Sequence, residues 1–236
     1  MSSVVNTNIG ALNAQRSLAE SSRELSTAME RLSSGKKINS AADDAAGFAI
    51  AERMTAQVRG LNMATKNAND GLAMLATIEN ATNDVTDMLQ RIRELAVQAA
   101  NDTNGAQDRT YLQTEVDSLV AEINRVSTDT VYNDSVVLDG NLSGSLQVGT
   151  ASGQTIDFAI TSIDTTTLGV DALDLSDATN AATALTAIDS AIETVAGNRA
   201  GYGALSNRLE YTVSNLMNVA EFTTAARSRI EDADFA

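Results

Sequence analysis

The chain has 236 residues and a net charge of −15, and it contains no Pro, Cys, Trp or His. Without Cys or His there are no disulfides, Ser-His-Asp triads, Cys-His dyads or ordinary zinc sites to build. The acidic balance is the opposite of the basic footprint a nucleic-acid binder needs, and no run of 18 apolar residues exists to span a membrane.

Pro usually makes up about 5% of a chain. Its absence permits long uninterrupted helices, because Pro is the strongest helix breaker. Aromatics are 3% of the residues, so a core must be assembled from small and aliphatic side chains, which suits thin helix-on-helix packing. Charge is unevenly spread. Residues 1–60 hold seven Lys/Arg and six Asp/Glu, whereas the stretch between Arg125 and Arg199 holds ten acidic residues and no basic one. That stretch reads as a solvated surface. It lacks the DxDxDG-type loop expected of a calcium site. The first residues, Met1 to Asn8, show neither a basic region nor an apolar run. They read as cytoplasmic, or as exported by a route that needs no cleaved signal.

In chain order, residues 5–33 predict a helix, with Val5, Ile9 and Leu12 leading into Leu18, Leu25 and Leu32 at sevenfold spacing. Ser33-Ser34-Gly35 supplies its stop. Ser40 to Gly47 reads as a small-residue loop of capping character, and a second helix of mixed pattern starts near Ala45 and runs to about Gly60 or Asn69. Asp43 and Asp44 in that loop suit caps and hydration better than acid–base work. The most regular segment follows. Leu75, Ile78, Thr82, Val85, Leu89, Ile92, Ala96 and Ala99 alternate spacings of three and four. Asn101 to Gly105 breaks this stripe, and Leu112, Val116, Leu119, Ile123 and Val126 form another. A short break between two stripes implies an antiparallel helical hairpin.

From Thr128 the composition turns to Thr, Val, Gly, Asp and Ser. Gln147 to Ile160 predicts a β-hairpin, with Ile156, Phe158 and Ile160 alternating with polar neighbours. Helix resumes near Ala181, where Ile188, Ile192, Val195, Tyr202, Leu205, Leu209, Val213 and Leu216 restore the stripe. The expected fold class is mainly α: an elongated antiparallel helical bundle or coiled-coil rod with a small β-hairpin insert. The stripes within 75–126 and 181–216 have an obvious intramolecular burial. Residues 5–33 do not, and a single amphipathic helix is marginal in water. Their partner is either another copy of the chain or a C-terminal segment.

Several runs carry a family resemblance. Asn6-Thr-Asn-Ile-Gly-Ala-Leu-Asn-Ala-Gln15, the run Leu32 to Gly47, Gln90-Arg-Ile-Arg-Glu-Leu-Ala-Val-Gln98, Ala200 to Glu210 and Ser228 to Ala236 resemble bacterial flagellins, in the family's order and over nearly the whole chain. The resemblance implies a structural subunit of the flagellar filament with no enzymatic activity and no cofactor. The chain would polymerise with other copies of itself, meet flagellar cap and junction proteins, and be secreted unfolded through a type III channel to the filament. Residues 1–44 resemble the N-terminal half of the inner-tube domain, 45–140 and 181–236 the rod, and 141–180 its β-hairpin region, without large outer domains. Val5, Ile9, Leu12, Leu18, Leu25 and Leu32 are the expected self-assembly residues. The family continues with a further helix after the position of Ala236, and residues 1–236 alone are expected to polymerise poorly. Tyr132-Asn-Asp-Ser stands where the family has an aromatic-Asn-Gly turn, so a different local turn is expected.

The resemblance also implies recognition by Toll-like receptor 5 through Arg91, Leu95, Gln98 and Glu115. Arg91 and Leu95 are four apart and share a helix face; the alternative is an ordinary surface pair of Arg91 with Glu115, with Leu95 flanking the stripe. Arg199, Arg208, Arg227 and Arg229, with Glu210 and Glu221, are either inter-subunit contacts or solvated faces. Asn80, Asn101, Asn133 and Asn141 head sequons, a pattern frequent by chance. Two other readings fit the helical pattern: a hook–filament junction-type protein, which would match the Leu32–Gly47 and Gln90–Gln98 runs less well, and a non-enzymatic helical adaptor.

Overall fold

The structure, a computed structural model, describes residues 8–234. The order of elements is α1 (Ile9–Ser34), α2 (Ala45–Ala99), α3 (Ala106–Asp129), β1 (Val131–Tyr132), β2 (Ser135–Val136), β3 (Ser143–Gln147), β4 (Thr155–Ala159), α4 (Thr165–Leu168) and α5 (Ala178–Glu231). The fold is mainly α with two small antiparallel strand pairs. It divides into two compact units, residues 63–216 and residues 1–62 with 217–236.

Unit 63–216 holds the main core. All eight residues of the stripe from Leu75 to Ala99 are buried, as are Val116, Ile123, Ile188, Val195, Tyr202, Leu209 and Leu216. Ion pairs tie α2 to its neighbours in this unit: Arg91 to Glu115 of α3, and Arg93 and Glu79 to Asp189 and Arg199 of α5. The hairpin β3–β4 pairs Leu146 with Ile156 and Gly144 with Phe158. Asn67 of α2 holds it by donating to the Gln147 carbonyl at 3.1 Å. Gly71 admits the hairpin to the surface of α2, because a Cβ there would lie 2.5 Å from Leu146 Cδ1. The segment after β4 is a strap. It buries Ile160, Ile163, Leu168, Val170 and Leu175, and Gln113 of α3 grips it by donating to the Leu173 carbonyl at 2.9 Å and accepting from Leu175 N–H at 2.7 Å.

One expectation needs correction. The second helix does not end between Gly60 and Asn69, since α2 runs unbroken for 55 residues. Leu61, Ala64, Ala68 and Gly71 are buried and continue the three-four spacing into Leu75. Small residues kept the stripe out of sight, and burial outweighs the roughly 1 kcal/mol that each helical Gly costs. At Tyr132-Asn-Asp-Ser the Asp does enter the left-handed region. Asn133 and Asp134 both take positive φ, 48° and 62°, which is the two-residue turn that joins β1 to β2. Asn and Asp are the non-glycine residues that best tolerate this region.

In the other unit, α1 is capped by the Asn8 side chain, which accepts from Ala11 N–H at 3.1 Å, and it stops at Gly35 in the left-handed region at φ 72°. The loop then pairs with the end of α5. Lys37 N–H donates to the Glu231 carbonyl at 2.7 Å, Ala233 N–H donates to the Gly35 carbonyl at 2.9 Å, and Lys36 forms an ion pair with Glu231. Asp43 accepts from the backbone N–H groups of Asn39 and Ser40, and these bonds hold its carboxyl below the usual range. Asp44 accepts from Ala46 and Gly47 N–H at the start of α2. Asp44 therefore caps α2, and Asp43 ties the loop ahead of it.

Three glycines of α5, Gly197, Gly201 and Gly203, have nothing within 4 Å of where a Cβ would stand. Alanine at each removes unfolded-state entropy and adds no clash. Each substitution is expected to stabilise the chain by about 0.5–1 kcal/mol, read as a rise in the urea midpoint at unchanged slope. A fall in midpoint would show that α5 needs a weak segment there.

Candidate functional site

The described residues contain no group of three or more His, Cys, Asp or Glu placed to hold a metal ion, and no helix among them is long and apolar enough to cross a membrane. The chemistry on offer is that of surfaces.

The first surface is the apolar face of α1. Ile9 is 65% exposed, Leu12 56%, Leu18 74%, Leu25 63% and Leu32 69%, and no described residue of α1 is buried. Val5, grouped with them from the sequence, lies outside the described residues. Full burial of such side chains is worth about 1.5–3 kcal/mol each.

The second surface lies on α2 and α3. Arg91 sits between two carboxylates: its Nε and Nη2 reach Glu115 Oε1 at 3.0 and 2.9 Å, and its Nη1 reaches Glu94 Oε2 at 2.9 Å. The hydrogen bond with Glu94, then that with Glu115, raises the guanidinium pKa above its usual value. The Arg91 side chain is nevertheless half exposed. Gln98 is exposed on the same helix. Leu95 is not, and this corrects its placement as a surface anchor: at 1% exposure it belongs to the core. It lies off the stripe of Ile92, Ala96 and Ala99. However, α2 is flanked by both α3 and α5, so its buried face is wider than a single seam. Glu94, the second carboxylate on Arg91, was missed from the sequence; its position three residues after Arg91 was the available signal.

Of the residues considered for inter-subunit contact, Arg199 is spent within the chain on Glu79, at 2.6 Å. Arg227 donates to Thr55 Oγ1 at 3.1 Å and lies 3.8 Å from Glu231.

The fold is a set of long helices, one of which presents an uncovered apolar face. Residues 5–143 match the bacterial flagellin N-terminal helical region, and residues 185–236 match the bacterial flagellin C-terminal helical region. The chain is 44% identical to a flagellin of Halalkalibacterium halodurans over 99% of its own length and 87% of that relative's. Among solved structures it resembles Bacillus cereus flagellin, at a TM-score of 0.57 and 30% identity over 64% of this chain and 88% of that one. A putative flagellar hook-associated protein from Vibrio parahaemolyticus shares the fold at a TM-score of 0.70 and 16% identity, over 80% of this chain and all of that one. The chain belongs to the bacterial flagellin family. It is a structural subunit of the flagellar filament and not an enzyme.

Proposed function

We propose that this subunit polymerises through the apolar face of α1, with Ile9, Leu12, Leu18, Leu25 and Leu32 buried against other copies and Val5 among the contacting residues. The exposure of these side chains carries the reading, since a helix so uncovered gains stability only on finding a partner. Residues 1–44 then serve the inner tube, 45–140 and 181–236 the rod, and 141–180 the insert. Flagellar cap and junction proteins are further partners. The chain is secreted through a type III channel, and with no disulfide to form and no Pro to isomerise it refolds without either slow step. Seeded growth followed by electron microscopy tests the polymerisation. At least one of two forms, residues 1–236 as they stand or the same chain carrying a C-terminal extension, is expected to elongate filament fragments. Failure of both forms would favour a junction role.

The rod surface is a ligand for Toll-like receptor 5 in the same reading. Arg91, Gln98 and Glu115 make the contact, and Leu95 acts from beneath by fixing the helix that carries them. An Arg held in place by two carboxylates gives up little side-chain freedom on binding, and Arg is enriched among interface hot spots. Arg91→Ala is expected to weaken binding to the receptor ectodomain by about 30-fold, the equivalent of about 2 kcal/mol. The melting temperature should barely move, because both ion pairs are exposed. Unchanged affinity would remove Arg91 from the contact.

A further inference from the structure

The turn between α2 and α3 carries chemistry that neither surface uses. Asn104-Gly105 is the chain's one Asn-Gly step. In such a step the following backbone nitrogen can attack the Asn side-chain carbonyl, and Gly leaves that nitrogen uncrowded and the backbone free to bring it round. Both reacting groups are tied down in this turn. Asn104 Nδ2 donates to the Gln98 carbonyl at 2.5 Å, and Gly105 N–H donates to Asp108 Oδ2 at 3.0 Å. The turn is stapled around them. Asn104 N–H donates to the Asn101 carbonyl at 3.1 Å, and the Arg109 guanidinium donates to the Ala99 and Asn101 carbonyls at 2.9 and 3.2 Å.

We propose that Asn104 is a deamidation site gated by folding, silent while the α2–α3 turn is closed and reactive whenever it opens. No oxidant or reductant takes part. Gly105 N gives its proton to solvent and bonds to Asn104 Cγ. The Cγ–Nδ2 bond breaks, and the nitrogen leaves as ammonia after taking up a proton. Water then adds to either imide carbonyl, the bond from that carbon to the Gly105 nitrogen breaks and the nitrogen regains a proton: attack at Cγ gives aspartate, and attack at the Asn104 backbone carbonyl gives isoaspartate. Either product lacks the donor that held the Gln98 carbonyl and sets a negative charge against it. The isoaspartyl form also adds a methylene to the backbone. The turn cannot reclose in its original geometry, so a chain that has dwelt unfolded is marked at this position.

The test uses the full chain at neutral pH, folded and in urea, with deamidation at Asn104 followed by peptide mass spectrometry and isoaspartate-specific methylation. The folded chain is expected to react at least about tenfold more slowly than the unfolded one. Asp108→Ala, which frees the Gly105 N–H, should raise the folded rate severalfold. Asp108→Asn keeps an acceptor and should stay slow; circular dichroism checks that both variants fold. Equal rates in buffer and urea would overturn the proposal, as would a folded Asp108→Ala chain reacting no faster. If Asp108→Ala does not fold, the comparison of buffer with urea still decides.

Discussion

Leu89→Ala is expected to destabilise the chain by about 2–5 kcal/mol, the range for truncating a fully buried Leu. Leu89 is 0% exposed in the middle of the stripe on α2. Its surroundings are aliphatic and small, and Tyr202 is the buried aromatic of the core. The stiff β-branched neighbours on the same stripe, Val85 and Ile92, have few rotamers with which to fill a void, so the upper half of the range is the better expectation. For a unit of this size each kcal/mol lowers the melting temperature by roughly 2–4 °C, so the loss should be roughly 7–20 °C. Val97→Ala on the same helix is the control. Val97 is 50% exposed, and its truncation should fall within about 0.5 kcal/mol of neutral. Similar losses at the two positions would mean that α2 is not packed as the structure shows.

That contrast also marks where the sequence was readable. The stripe from Leu75 to Ala99 could be placed because five of its eight members are large aliphatic residues at even spacing, and every one of the eight is buried. Strand β4 could be placed because Ile156, Phe158 and Ile160 alternate, whereas β3 begins at Ser143, four residues before the expected start at Gln147. Leu61 to Gly71 could not, since Ala and Gly carry little apolar signal even where they are the residues that let elements approach. The strap of Ile163, Leu168, Val170 and Leu175 was missed for another reason. Its apolar residues follow neither the helical nor the strand period, being set by a single turn of helix capped by Asp164 and ended by Gly169. On the surface of α2 and α3, spacing placed Arg91 beside Glu115 correctly. It put Leu95 on the surface with them because one helix read alone does not reveal how many neighbours flank it.

The apolar face of α1 leads to the sharpest functional consequence. Leu18→Asp with Leu25→Asp is expected to abolish filament elongation in whichever form of the chain elongates. Leu18 and Leu25 are 74% and 63% exposed, so the folded subunit loses little packing and its melting temperature should move by less than about 1 kcal/mol's worth. In a polymer, two side chains that would each contribute about 1.5–3 kcal/mol on burial are replaced by carboxylates that must be desolvated. The combined loss of at least about 3–6 kcal/mol per subunit raises the concentration needed for growth by more than about 100-fold. Glu20→Ala is the matched control, because Glu20 sits about 200° around the helix from Leu18, and it should elongate normally. Normal growth of the double variant would remove this face from the contact between copies. Loss of growth with Glu20→Ala as well would show that α1 is gripped all round, and that a single apolar seam is too narrow an account of its burial.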